Sequence, residues 1–226
     1  MAATLMARVL DDDNVEQAYR LHKQLLQLGP KPTLFKPESR EFFARHVEAV
    51  GRIIGVFAEG ALIAYGIVGF PADTGYNFGA TLGLPESALA QVAHLDGCGV
   101  LPQWRGNGLQ RWLAHRRIAL AVAAGRRHIL STAAPANTAS CRNLLASGLQ
   151  IKGLQPMFGG VLRYLLYADL AAPCRVDPSS VRIVAVTDIH RQQHLLAHGY
   201  VGHRWCLQRS MAHVYYGRPL PGSTPA

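Results

Sequence analysis

The segment from Val100 to Leu109, V-L-P-Q-W-R-G-N-G-L, has the residue types needed to bind a phosphate group. Pro102 lacks an N–H donor and therefore ends the strand before it. Gly106 and Gly108 allow positive φ angles and place no Cβ in the way of a ligand. A helix that begins directly after them presents unpaired backbone N–H groups and the positive end of its dipole. Because the Arg105 guanidinium can bind phosphate oxygens with two N–H groups, we predict a diphosphate-binding turn.

Two common nucleotide-binding patterns do not occur in the sequence. There is no G-x-x-x-x-G-K-[ST] segment, and no G-x-G-x-x-G segment with an acidic residue about 20 positions later. A glycine-rich turn that only connects a strand to a helix therefore stays open as the structural alternative.

The strand before this turn carries side chains that can move protons. Because successive side chains of a strand point to opposite faces, we predict that His94, Asp96, Cys98 and Val100 share one face. A carboxylate or an imidazole on such a face can act as a general base.

The elements that must position these residues follow from hydrophobic periodicity and from glycine and proline positions. The predicted order is β-α-α-β-β-β-α-β-α-β-β, with a tight hairpin turn at Glu59-Gly60. The central strands at 91–101 and 127–133 flank a helix at 108–124, which requires a crossover between parallel strands. The sequence thus predicts an α/β fold with a mixed sheet flanked by helices.

These residues resemble the motifs of the GNAT superfamily of acyl-CoA-dependent acyltransferases. Gln103–Gly108 resembles its Q/R-x-x-G-x-G/A pyrophosphate motif, and Val100–Pro102 resembles the V-x-P before it. A second block resembles the family's N-x-x-[AS]-x-x-x-[YL]-x-x-x-G-[FL] helix through Asn137, Ser140, Leu144, Gly148 and Leu149. The two blocks and the element order cover roughly residues 5–170.

The resemblance implies an N-acetyltransferase with a partly splayed sheet. Acetyl-CoA would be the co-substrate, no metal would be needed, and a primary amine of a small molecule or peptide would attack directly in a ternary complex. The acceptor pocket would involve the segments 28–37 and 71–92. The residues implied in binding acetyl-CoA are Val100, Leu101, Arg105, Gly106, Asn107, Gly108, Leu109, Gln110, Asn137, Ser140 and Arg142.

Asp96 is the first candidate for catalysis and His94 is the second. In this family an acidic residue on the strand before the turn often serves as base or amine anchor, and a lysine-like amine, with a pKa near 10.4, must lose a proton before it attacks. The alternative is that Asp96 is a structural carboxylate whose hydrogen bonds are satisfied.

The general acid is the point at which the sequence departs from the family. Many members place a Tyr where this chain has Leu144, so the proton for the leaving thiolate has no assigned donor. Four residues are open as substitutes: Ser140, Cys141, Tyr164 and Tyr167. An acyl intermediate on Cys98 or Cys141 ranks low because neither has a His at a recognisable motif spacing.

Composition is consistent with a globular protein that binds an anion. The 226 residues are 49% hydrophobic and carry a formal net charge of +9. The basic balance favours an anionic partner, and the cofactor already accounts for the basic stretch at 105–127. The four cysteines have no metal-site spacing, and no apolar run reaches the ~20 residues of a membrane span. We expect a soluble, cytoplasmic protein.

The segment after the family core is predicted as an extra β-α-β extension packed on it. We therefore divide the chain into a core at 1–172 and an extension at 173–226. The matching L-L-A-S-G at 144–148 and L-L-A-H-G at 195–199 raise the hypothesis of a partial internal repeat. The extension leaves a homodimer open.

Two other functions stay open at this stage. One is an acyl-CoA-binding module with little catalysis, which the missing Tyr favours. The other is an RNA- or ribosome-associated basic protein, although no nucleic-acid-binding motif is present.

Overall fold

The computed structural model describes residues 4–28, 34–71 and 76–222, and the chain forms two compact units. The first comprises Met1–Ala72 and Ala93–Arg126, and the second comprises Asp73–Val92 and Arg127–Ala226. Parts of the acceptor segments predicted at 28–37 and 71–92 lie outside the described residues. Within the described ranges, no helix is long and apolar enough to cross a bilayer.

Ten strands and seven helices are described. The strands are β1 (Leu5–Val9), β2 (Gly51–Ala58), β3 (Ala61–Gly69), β4 (Val92–Val100), β5 (His128–Ala133), β6 (Gln150–Met157), β7 (Val161–Asp169), β8 (Arg182–Ala185), β9 (Val201–Gln208) and β10 (Met211–Gly217). The helices are α1 (Val15–Leu28), α2 (Arg40–Glu48), α3 (Phe78–Thr81), α4 (Glu86–Leu89), α5 (Leu109–Ala123), α6 (Thr138–Ala146) and α7 (Ile189–Ala197).

The first unit is built on four antiparallel strands in the order β1-β2-β3-β4. Glu59 and Gly60, with φ of 49° and 81°, form the tight turn between β2 and β3, as the sequence predicts. Because β3 lies between two strands and is covered by helices on both faces, eight of its nine residues are buried. This explains why β3 is an almost continuous apolar run.

The two faces of β3 are covered by different helices. Tyr65 points to the face on which α1 and α2 pack, and its ring centroid lies 5.5 Å from that of Phe43. The next residue, Gly66, points to α5, where an added Cβ would lie 3.1 Å from Nε of Arg117. The Ser39 hydroxyl caps the start of α2, since it accepts a hydrogen bond from the Phe42 N–H.

The second unit contains six strands in the order β5-β7-β6-β9-β10-β8, with antiparallel pairing throughout. Helix α3 packs on β5, where Phe78 joins a small apolar cluster with Leu130, Leu165 and Tyr167. Strand β9, which belongs to the predicted extension, pairs with β6. The predicted boundary between residues 172 and 173 stays a prediction.

Two segments of the second unit have the same arrangement, β5-α6-β6-β7 and β8-α7-β9-β10. In the first segment β5 pairs with β7 and β7 pairs with β6. In the second segment β8 pairs with β10 and β10 pairs with β9. Asn137 caps α6 and Asp188 caps α7, each through a bond from the N–H three residues later. A β-bulge follows at the same interval in both, at Lys152 and at His203. The structure therefore supports the repeat hypothesis and extends the repeat over four elements.

The two copies meet at equivalent positions. Ile151, just before the first bulge, pairs with Gly202, just before the second, as expected around a local two-fold axis. Each helix packs on a strand of the other copy, α6 on β9 and α7 on β6. Each copy therefore covers part of the other.

The structure contains the predicted elements in the predicted order, and adds the short helices α3 and α4 and the strand β10. Strand β10 follows a turn formed by Arg209 and Ser210, which have φ of 47° and 65°. Neither is a glycine, so the sequence lacks the usual hairpin signal at this point.

Candidate functional site

The predicted phosphate-binding turn is formed as the sequence suggests. Strand β4 ends at Val100, a short 3-10 turn covers Pro102–Trp104, and α5 begins at Leu109. Gly106 and Gly108 have φ of 85° and 73°, a region that favours glycine. An added Cβ at either glycine would meet no atom within 4 Å, so the surface above them is open. Glycine is therefore favoured at these positions by the positive φ angle and not by lack of space.

The backbone of this turn is suited to an anion. The first N–H groups of α5 have no acceptor within the helix, and the helix dipole places positive charge there. The exposed Arg105 donates from Nε to the carbonyl of Val100 at 3.1 Å, which holds its guanidinium beside the end of β4. Asn107 donates from Nδ2 to the carbonyl of Trp104 at 3.3 Å. The turn thus gathers the predicted binding residues of the first unit, namely Val100, Leu101, Arg105, Gly106, Asn107, Gly108, Leu109 and Gln110.

A β-bulge in β4 corrects the predicted alternation of its side chains. Gly66 pairs with Cys98 but Val68 pairs with Leu95, so Asp96 and Gly97 together lie opposite Ile67. His94 and Asp96 consequently lie on the face covered by α1 and α2. Cys98 and Val100 pair with residues that face α5, so the prediction that all four share one face is wrong.

Asp96 faces a histidine that the sequence analysis did not single out. Nε2 of His46, on α2, lies 3.5 Å from Oδ2 of Asp96, and the side chains are 8% and 14% exposed. Nδ1 of His46 lies 2.7 Å from the carbonyl oxygen of Phe42, one turn earlier. Gly69 lies beside the pair, since an added Cβ there would clash with the Asp96 carboxylate.

Two further titratable groups surround this pair. Glu38, before α2, binds the Lys36 ammonium at 2.8 Å, and burial raises the pKa of its carboxyl although Lys36 opposes this. His94 is buried, and burial lowers the pKa of its imidazole. A lowered pKa makes His94 a weaker proton acceptor, and Asp96 and His46 face each other at 3.5 Å, so these two are the better placed to exchange a proton.

Arg117 holds the bulge from the opposite face. It is 2% exposed, and its Nη1 donates to the carbonyls of Ile67 at 3.2 Å and of Asp96 at 3.1 Å. Its Nε donates to the carbonyl of Leu113 at 3.2 Å. A bulge leaves backbone groups without ladder partners, and the buried guanidinium satisfies two of them here.

The predicted binding residues of the second unit lie on α6. Oδ1 of Asn137 accepts a hydrogen bond from the Ser140 N–H at 3.1 Å and caps the helix. Ser140 is half-buried and Arg142 is exposed. The capping bond gives Asn137 a structural role in addition to the predicted binding role.

Three of the residues considered as the general acid, namely Tyr164, Tyr167 and Cys141, make contacts inside the protein. Tyr164 donates to Gln192 at 2.5 Å and the Tyr167 hydroxyl bonds Nδ1 of His128 at 2.9 Å, and burial raises the pKa of both phenols. Burial also raises the pKa of Cys141 to about 12, so its thiolate is scarce at neutral pH. Burial raises the pKa of the Cys98 thiol as well.

Together, these features describe a turn whose geometry suits an anion and, on β4, a carboxylate beside an imidazole. Among the described residues, no group of three or more His, Cys, Asp and Glu side chains is placed to hold a metal ion. The turn suits a phosphorylated ligand, and the carboxylate and imidazole suit the transfer of a proton.

The model of the Acetyltransferase (GNAT) family matches residues 15–147 of the chain. No curated protein sequence matches the chain.

Solved structures with the same fold include three acetyltransferases. NAA60 of Arabidopsis thaliana in complex with acetyl-CoA has a TM-score of 0.60 and 14% identity, covering 74% of this chain and 99% of its own. YncA of Salmonella typhimurium, a putative acetyltransferase solved with acetyl-CoA, has a TM-score of 0.57 and 15% identity, with 78% and 99% coverage. The ribosomal-protein-S18-alanine N-acetyltransferase of Escherichia coli has a TM-score of 0.55 and 14% identity, with 74% and 94% coverage. These similarities confirm the predicted α/β fold class.

Proposed function

The chain belongs to the acetyltransferase (GNAT) family, and from that membership we propose that it transfers the acetyl group of acetyl-CoA directly to a primary amine. Acetyl-CoA-dependent acetyl transfer follows from the family. The amine, the direct attack and the residue roles are the proposal.

The observation that carries the proposal is the turn at Arg105–Gln110. Its two glycines with positive φ, the open space above them and the start of α5 suit the pyrophosphate of acetyl-CoA. The Arg105 guanidinium adds positive charge at the same place. Asn137, Ser140 and Arg142 are proposed as further contacts from the family resemblance.

Asp96 is the proposed base. Transfer to an amine requires alignment of the reactants and removal of a proton from the ammonium form. The Asp96 carboxylate is close to His46 and can accept that proton. His94 is the weaker candidate because burial lowers the pKa of its imidazole and therefore its affinity for a proton. Since a thiol such as that of CoA has a pKa near 8.5, the thiolate can leave without a strong acid, which is consistent with Leu144 in place of a Tyr.

Direct attack is favoured over an acyl-cysteine. Cys141 has a pKa of about 12 and donates from Sγ to the carbonyl of Ala134 at 3.4 Å. Cys98 faces α5, away from Asp96. Neither thiol is activated, so we propose a ternary complex, in the cytoplasm, where acetyl-CoA is available.

The test measures CoA thiol release from acetyl-CoA with a panel of amines: spermidine, lysine amide and a short peptide with a free N-terminus. We expect release with at least one amine, and a loss of about 100-fold in kcat for Asp96→Asn with the Kd for acetyl-CoA unchanged. Asp12→Asn, at an exposed aspartate, is the matched control.

Binding of acetyl-CoA without release for any amine would instead support the acyl-CoA-binding module. Release that Asp96→Asn leaves unchanged would rule out Asp96 as the base.

A further inference from the structure

We propose that His46 is a positioning residue that orients Asp96 and takes up, through that carboxylate, the proton released by the acceptor amine. The proposal rests on the proposed function of the same site. It goes beyond it by assigning the proton to a residue on α2 that lies outside the family motifs.

The hydrogen bonding of His46 fixes the role of each ring nitrogen. A main-chain carbonyl only accepts, so Nδ1, at 2.7 Å from the Phe42 oxygen, carries a hydrogen. Nε2 is left to face Oδ2 of Asp96 at 3.5 Å. In neutral His46 this nitrogen has a lone pair, which can accept a proton from Asp96. The imidazolium that forms would then be paired with the Asp96 carboxylate.

The position of His46 is held by packing on three sides. Its ring lies over that of Phe42, with centroids 4.1 Å apart and planes at 38°. Gly51 and Gly69, which pair with each other across β2 and β3, leave the space that the ring occupies. An added Cβ would lie 2.6 Å from Cδ2 of His46 at Gly51 and 3.1 Å from Nε2 at Gly69.

Glu38 and His94 are the titratable groups that interact with the pair formed by His46 and Asp96. Glu38 interacts electrostatically with both, and Lys36 compensates its charge at 2.8 Å. His94, on the same strand face as Asp96, also interacts with both members of the pair, and burial lowers the pKa of its imidazole. Of the groups near the pair, Glu38 is therefore the one whose negative charge acts on it, and Lys36 offsets part of that charge.

The proton balance is complete without another reactant. One N–H bond of the acceptor ammonium breaks toward Asp96, the electron pair stays on nitrogen, and the proton passes to Nε2 of His46. The amine nitrogen then bonds the thioester carbon, the C–S bond breaks, and the second proton goes to the thiolate. The products are an amide and a thiol, and His46 returns its proton to water.

A second histidine in this chain provides a matched control. Nδ1 of His198, on the last turn of α7, lies 2.7 Å from the carbonyl of His194, and their rings lie 4.1 Å apart at 38°. This is the local geometry of Phe42 and His46. His198 is exposed, however, and no salt bridge to it is described.

The experiment that tests the proposal combines NMR of the free protein with kinetics. Imidazole ¹⁵N shifts of wild type are recorded at mildly alkaline pH, where they report which ring nitrogen carries the hydrogen, and His198, with the same Nδ1 contact, provides reference shifts. We expect the hydrogen of His46 on Nδ1, bonded to the Phe42 carbonyl, which leaves the Nε2 lone pair to accept the proton from Asp96. A hydrogen on Nε2 of His46 would overturn the proposal.

The kinetic arm uses acetyl-CoA and the best amine of the panel. We expect His46→Gln to lower kcat about tenfold or more and to move the acid limb of the kcat/KM profile, with melting and acetyl-CoA binding unchanged. His198→Gln should behave as wild type. An unchanged pH profile in His46→Gln would overturn the proposal. Absence of transfer by wild type would instead count against the proposed function. In that case the NMR result would still show whether His46 can accept a proton from Asp96.

Discussion

The guanidinium of Arg117 donates a hydrogen bond to the main-chain carbonyl of Asp96 at 3.1 Å. A residue on α5, the helix that begins at the predicted pyrophosphate turn, therefore holds the bulge from which the candidate base projects. The same side chain bonds the carbonyl of Ile67, opposite the bulge. One side chain thus links the helix after the binding turn to the orientation of Asp96.

Arg117→Met should destabilise the protein. The substitution leaves the carbonyls of Ile67 and Asp96 buried without their donor, which costs about 3 kcal/mol of unfolding free energy in total. Urea denaturation measures this difference. Arg117→Lys, which keeps the charge and can restore one bond, should recover part of it. A melting curve for Arg117→Met that coincides with wild type would show that these bonds contribute little.

Gly69→Ala should reduce turnover with little effect on acetyl-CoA binding. An added Cβ would clash with the Asp96 carboxylate and move it from its place beside His46. Misplacement of a catalytic group by about 1 Å can lower the rate about 100-fold. Gly153→Ala is the control, because its nearest neighbour, Cβ of Leu165, would lie at an ordinary 3.5 Å. Equal kcat in the two variants would contradict the assignment of this face as the catalytic one.

His22 should make stability depend on pH. Burial lowers the pKa of His22 to about 4, and the neutral Nε2 accepts a hydrogen bond from the Glu38 N–H at 2.9 Å. Between pH 6.5 and about 4 the unfolded state binds the additional proton, so the unfolding free energy falls as pH falls through this range. In His22→Gln the decline should be shallower. Denaturation curves from pH 7 to 4 measure it, and equal slopes would contradict the prediction.

Gln192 should be important for the stability of the second unit. Its Oε1 accepts hydrogen bonds from Tyr164 at 2.5 Å and Tyr216 at 2.9 Å, and the residue is fully buried. Gln192→Met leaves both hydroxyls without their acceptor, so the unfolding free energy should fall by about 2–3 kcal/mol. The neighbouring Gln193 makes one described bond, to the Leu154 carbonyl, so Gln193→Met should cost less. The reverse order in thermal melting would contradict this.

The sequence predicts the elements and the binding turn well, because both depend on local signals. Gly106 and Gly108 are required where φ is positive, and their spacing specifies a turn before α5. The alternation in β4 fails because the bulge at Asp96 and Gly97 depends on pairing with β3 and on the buried Arg117. No residue of β4 by itself signals that bulge.

His46 and β10 were missed for different reasons. His46 is brought to Asp96 by the packing of α2 on the sheet, and only the four-residue spacing from Phe42 hinted at a stacked, oriented imidazole. Strand β10 follows a turn made by Arg209 and Ser210, which are not residues that usually adopt positive φ. The position of His46 therefore depends on long-range packing, whereas β10 depends on a local turn whose residue types give no signal.

Isothermal titration of acetyl-CoA into wild type and Arg105→Glu tests the central claim most directly. We expect one micromolar site in wild type, and a loss of about tenfold or more in Arg105→Glu because a carboxylate replaces the cation beside the turn. Arg116→Glu, an equal charge change at an exposed position of α5, the helix that follows the turn, should bind nearly as wild type does. No binding to wild type, or equal affinity in Arg105→Glu and wild type, would contradict the claim that this turn holds acetyl-CoA.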